Sequence, residues 1–148
     1  MLILSLDTTT RAGSCALLRD ERVLREQASD TSREQAERLP GELAALLERE
    51  SVALQDIDAF AVATGPGSFT GLRIGIATMQ GLAMATRKPL LGVSAFDALA
   101  MLGGSKNGVM THVRKIERIA TWIDAWRGEV FAAVYEDGCE VAAPTVAP

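Results

Sequence analysis

Two stretches carry residue types suited to chemistry. Asp7-Thr8-Thr9 follows the apolar run 2–6 and sets a carboxylate and two hydroxyls at the end of an expected strand. Gly65-Pro66-Gly67-Ser68 follows a second apolar run, 57–63, and leads into a long apolar segment, 72–85, that reads as a helix. Pro66 fixes one φ, and the glycines admit φ values that other residues resist, so this is turn chemistry. Ser68 or Thr70 can cap the helix by accepting a bond from an orphan backbone N–H. A strand, a tight glycine turn and a capped helix start together make a place where backbone donors can face an anion. On that reading Asp7, Thr8, Thr9, Gly65, Gly67 and Ser68 are candidate nucleotide- or phosphate-binding residues. The plainer reading is a well-made turn, with Asp7 capping local N–H groups at its strand end. The Asp7 loop also lacks the internal glycine that lets a backbone wrap closely around a phosphate.

Other chemistries find less in the chain. His112 is the only histidine, and no cluster has the spacing of metal ligands. A serine peptidase needs a base beside its nucleophile; Ser68 is the one suggestive serine, and His112 lies beyond a linker with no patterned acid. Cys15 and Cys139 form no redox or metal pattern, which fits a reduced, cytosolic setting. The first residues are too short and lack the basic flank expected of a signal peptide. No stretch reaches membrane-spanning length without polar interruption. A formal net charge of −4 supplies no global basic field for nucleic acid.

The elements that must position these residues follow from pattern. Residues 2–6, 14–18 and 22–28 read as an antiparallel meander. Ser32 opens a helix running to Arg49, with Gln35 completing a capping box. Ala36, Leu39, Leu43, Leu46 and Leu47 share one of its faces, and Pro40-Gly41 predicts a kink or two abutting pieces. The helix after the glycine turn carries Gly71, Gly75, Ala77, Gly81 and Ala85, with apolar side chains over most of its remaining surface. Helical glycine costs about 1 kcal/mol relative to alanine. Close approach of another backbone would account for it, and a helix apolar nearly all round is expected to be buried on more than one side. A strand at 90–93 and a helix from Ser94 or Ala95 to Met101 complete the first lobe.

Residues 118–124, 129–135 and 140–143 then repeat the meander. Asp7 and Asp20 are thirteen residues apart, as are Asp124 and Asp137, with Gly13 and Gly128 opening the second strand of each copy. This predicts an α/β chain with a complete lobe at 1–103, a linker at 104–117 and the beginning of a duplicated second lobe at 118–148. Three strands with no covering layer are marginal, so they are expected to belong to a truncated chain or to borrow their cover.

Meander, helix, strand, helix, strand and helix, begun twice, is the pattern of the actin-like ATPase and ribonuclease H-like folds. Ile3-Leu4-Ser5-Leu6-Asp7-Thr8-Thr9, Gly65-Pro66-Gly67-Ser68-Phe69-Thr70-Gly71-Leu72-Arg73-Ile74-Gly75 and Ile123-Asp124-Ala125-Trp126-Arg127-Gly128-Glu129-Val130-Phe131 narrow it further. Together they closely resemble the TsaB (YeaZ) family, over residues 2 to about 135. The resemblance implies a bacterial protein needed to make threonylcarbamoyladenosine in tRNA, acting without catalysis. It implies docking on a TsaD-type transferase through helices of the first lobe, and a working assembly with a TsaE-type ATPase. Alone, such a protein is expected to form a homodimer through a similar surface and to meet tRNA only through the complex. The matching helices here span 32–49 and 70–85, with Leu39, Leu43, Gly71, Ile74, Gly75, Thr78, Gly81, Leu82 and Ala85 as interface candidates. No cofactor is implied as a requirement, although ATP or ADP could be held weakly at the two loops.

TsaD-like relatives hold a metal with a pair of histidines one helical turn apart; Ala95 and Leu99 stand at the matching positions and ligate nothing. Two departures from the family pattern stand out. Many relatives have Asp-Ala-Arg where this chain has Asp124-Ala125-Trp126, and many carry a histidine where Gln35 sits. Family members normally continue through a full second lobe.

Overall fold

Apolar runs separated by turn residues build a five-stranded sheet, and its register explains its core. In the computed structural model, which describes residues 1–29, 35–104, 118–126 and 128–147, β1 (Leu2–Asp7) lies at the centre. It pairs antiparallel with β2 (Ser14–Arg19) and parallel with β4 (Ala59–Gly65). β3 (Arg22–Ala28) and β5 (Leu90–Ser94) take the edges, for the order β3-β2-β1-β4-β5. Side chains alternate across a strand, so aligned residues form rows. Leu17, Leu4 and Phe60 make one buried row, and Cys15, Leu6 and Val62 the next.

Two helices cover these rows. α1 (Gln35–Arg49) contributes Leu39, Leu43, Leu46 and Leu47, and α2 (Phe69–Thr86) contributes Met79 and Ala83. Fully burying a leucine is worth about 1.5–3 kcal/mol, so the α1 face alone outweighs a local helix defect. Of the two outcomes expected at Pro40-Gly41, the two abutting pieces are absent: α1 is one continuous helix, with Pro40 and Gly41 on its exposed side. Ala36, expected on the buried face, is exposed. The capping box at Ser32 lies outside the described residues.

The chain divides into two units, Met1–Val93 and Ser94–Pro148, which shifts the expected domain boundary. α3 (Ala95–Gly104) belongs with the second unit, because Phe96 and Ala100 pack with Ala133 and Tyr135. These come from the antiparallel sheet β6 (Ile119–Trp126), β7 (Glu129–Glu136) and β8 (Cys139–Ala147). The later meander therefore does have a covering helix on one face. Ser94 caps α3, its Oγ accepting from the backbone N–H of Phe96 at 3.2 Å. The Tyr135 hydroxyl donates to Asp97 Oδ1 at 2.5 Å, and burial, then that carboxylate, push it up to about 12. The linker expected at 104–117, with His112, lies almost wholly outside the described residues.

The internal repeat is visible in the backbone. Asp20 and Asp137 both turn their hairpins with positive φ, 55° and 49°, and Gly13 and Gly128 precede the second strands at 65° and 82°. Non-glycine residues rarely adopt this region, and aspartate is among those that tolerate it.

Candidate functional site

The two loops singled out by sequence meet. β1 ends at Asp7 and β4, its parallel neighbour, at Gly65, so the turns that follow emerge side by side. The backbone N–H of Ser68 donates to Thr9 O at 2.7 Å. A Cβ on Gly67 would fall 2.5 Å from that same oxygen, so the approach requires glycine. The Gly65–Pro66 bond is cis. Gly65 has φ of 99° and lies against Leu72 of α2.

Several donors at this junction serve the chain itself. Asp7 Oδ1 accepts from the Thr9 N–H at 2.7 Å, the local capping role described above. Ser68 is the cap of α2: its Oγ accepts from the Gly71 N–H at 3.2 Å, and its carbonyl from the Leu72 N–H at 2.8 Å. Thr70, the alternative cap, sits inside the helix. Four backbone N–H groups that could face an anion, those of Thr9, Ser68, Gly71 and Leu72, thus serve the chain itself. Thr8 is fully buried against α2, where a Cβ on Gly75 would come within 2.1 Å of its hydroxyl oxygen. Among the described residues no group of three or more His, Cys, Asp or Glu is placed to hold a metal ion.

A cluster that sequence reasoning missed lies just beyond the turn. Arg38 of α1 is only 4% exposed, and its Nη1 meets Glu42 Oε1 at 3.1 Å. Its Nη2 donates to the carbonyls of Arg11 and Ala12 at 2.9 and 3.0 Å. Ser29 Oγ donates to Glu42 Oε2 at 2.6 Å. The sequence signal is an ordinary four-residue Arg–Glu spacing, which usually marks a solvated helix face. Nearby, burial and then Glu42 push the Cys15 thiol up to about 11, which makes it inert.

The interface candidates divide. Leu39 and Leu43 are 1% and 4% exposed and belong to the hydrophobic core. Gly71 and Gly75 are buried along the inner ridge of α2 with Met79 and Ala83. Leu39, Leu43, Gly71 and Gly75 are therefore interior residues of this chain rather than exposed ones. Gly81 and Ala85 face outward, and Ile74, Thr78 and Leu82 flank them half-buried. The outer face also carries two apolar side chains the sequence reading left out, Phe69 at 73% exposure and Met84 at 80%. The guanidinium of Arg73 stands 5.4 Å from the Phe69 ring centroid. An open depression of about 350 Å³ lies at the other end of β1, lined by Met1, Asp20, Asp56 and Asp58 among others, and includes none of the candidate residues. Among the described residues no helix is long and apolar enough to cross a membrane.

Known proteins share this pattern. The family model described as TsaD, tRNA N6-adenosine threonylcarbamoyltransferase, matches residues 24–147. The Escherichia coli protein named tRNA threonylcarbamoyladenosine biosynthesis protein TsaB is 39% identical over 136 residues, covering 92% of this chain and 55% of that relative. The solved structure of YeaZ from Pseudomonas aeruginosa superposes with a TM-score of 0.80 at 38% identity, covering 99% of this chain and 67% of its own. The chain thus spans little more than half the length of the curated TsaB relative. Thermus thermophilus RuvC superposes with a TM-score of 0.51 at 15% identity, over 75% of this chain and 73% of its own; that likeness concerns the ribonuclease H-like fold alone.

Proposed function

Because the chain belongs to the TsaB (YeaZ) family, we propose that it serves threonylcarbamoyladenosine formation in tRNA as a noncatalytic docking subunit. The outer face of α2 is the surface it uses. The observation that carries this reading is the contrast along that helix: an inner ridge filled by the chain's own core, and an outer face where Phe69 and Met84 stand exposed beside Ala77, Gly81 and Ala85. Small residues let a partner helix approach closely, while Phe69 and Met84 supply apolar contact around them. The partner is a TsaD-type paralogue. The surface left free by this docking serves a TsaE-type ATPase, and tRNA is met through the assembly. A homodimer through the same face is the competing state.

That the Thr9, Ser68 and Gly71 N–H groups are taken up by the chain itself supports a role without phosphate chemistry. Light scattering on a sizing column tests the reading, first with this chain alone and then with its TsaD-type partner. A peak at the summed mass, growing as any homodimer disappears, is the expected result. An unchanged homodimer beside free partner rejects docking by this chain. Tight ATP binding by the chain alone, measured by calorimetry, would instead favour the nucleotide-binding reading of the two loops.

A further inference from the structure

The turn joining β1 to β2 is held from two helices by different means. From α2 the hold is backbone contact: Ser68 N–H on Thr9 O, and the Gly75 backbone against the Thr8 side chain. From α1 it is, among the described residues, a side chain: Arg38 spans from Glu42 on its own helix to the carbonyls of Arg11 and Ala12. Ser29, at the end of the meander, closes the group by donating its hydroxyl to Glu42 and its backbone N–H to Gly13 O. A guanidinium can do this because its fork presents several donors in fixed directions, whereas an ammonium is a point charge. Both charges are largely out of water, so the pair resists being opened one partner at a time.

We propose that Arg38 is a strap that makes α1 and the β1–β2 turn move as one body. A displacement of α1 is then transmitted to Asp7, Thr8 and Thr9, and a change at the turn is transmitted back with equal coupling. The strap operates whether or not any partner docks on α2.

Amide hydrogen exchange on the full chain tests this, comparing turn amides (Thr9, Gly13) with β4 amides (Phe60, Val62). Arg38→Lys keeps a positive charge near Glu42 but cannot reach both carbonyls. Its turn amides are expected to exchange faster by roughly ten- to a hundredfold, with β4 unchanged. Arg38→Met takes from Glu42 the guanidinium that faces it and is expected to lower protection more widely. Arg38→Met with Glu42→Met removes both charges; β4 protection returns while the turn stays fast. Gly13→Ala perturbs the turn, because its Cβ would fall 2.8 Å from Asp7 O at a φ of 65°. It is expected to speed exchange at Leu43 and Leu46 in the native background and not in the double variant. Turn amides that follow β4 in every variant, or a Gly13→Ala effect on α1 equal in both backgrounds, would overturn the proposal.

Discussion

On α2, a Cβ at Gly75 would sit 2.1 Å from the Thr8 hydroxyl oxygen, whereas the corresponding point at Gly81 has nothing within 4 Å. In sequence the two glycines carry the same weight, each a helix-weakening residue wanting a reason. In the structure they answer to different constraints. Gly75 lets the helix backbone settle on the β1 strand end, so its reason lies inside the fold. Gly81 is exposed on the opposite side, so any reason lies outside the chain or does not exist. A stripe of small residues can thus be two stripes superimposed, one for packing and one for a surface.

Substitutions can break this contrast or sharpen it. Gly75→Leu is expected to abolish cooperative folding, since overpacking beside a fully buried Thr8 costs about 3 kcal/mol or more. A cooperative thermal transition close to that of the native chain would show that the inner ridge is not closed. Gly75→Ala should be milder and partly rescued by Thr8→Ala, which removes the nearest atom. Ser68→Ala removes the α2 cap and should lower stability by about 1 kcal/mol, read as a lower urea midpoint with an unchanged slope. Gly81→Ala should change sign, raising stability by up to about 1 kcal/mol because alanine is the better helix former at an open position. Destabilisation there would mean that the outer face is covered in the isolated chain. Met84→Ser should move stability by no more than about 0.5 kcal/mol while weakening association with the TsaD-type partner. Unaltered pairing by both Met84→Ser and Gly81→Leu would remove this face from the interface.

Much of the fold was legible because local rules and burial agreed. The apolar runs became β1, β2 and β4, the glycine turn became a strand-to-helix junction, and Ser68 became the cap. Legibility failed where burial overruled a local rule. Pro40 and Gly41 allow two separate pieces, but the leucines on the far side of α1 hold one continuous helix against the sheet. α3 reads as the last helix of the first lobe by chain order, yet Phe96 and Ala100 pack with Ala133 and Tyr135. Arg38 and Glu42 drew no reading from the sequence, where a four-residue spacing is ordinary, and only packing puts them out of water with two loop carbonyls as partners.

By itself, then, the sequence determined the strand and helix types, the meeting of strand ends with turn residues at Asp7 and Gly65, and the family. Those depend on periodicity, turn chemistry and residue identity, all local to the chain. The tertiary structure decided which side of each helix was spent on the core, which glycine was obligatory, and where a charged side chain was buried. Those depend on what stands opposite each residue, and opposition across a sheet or between helices is created only when the chain has folded.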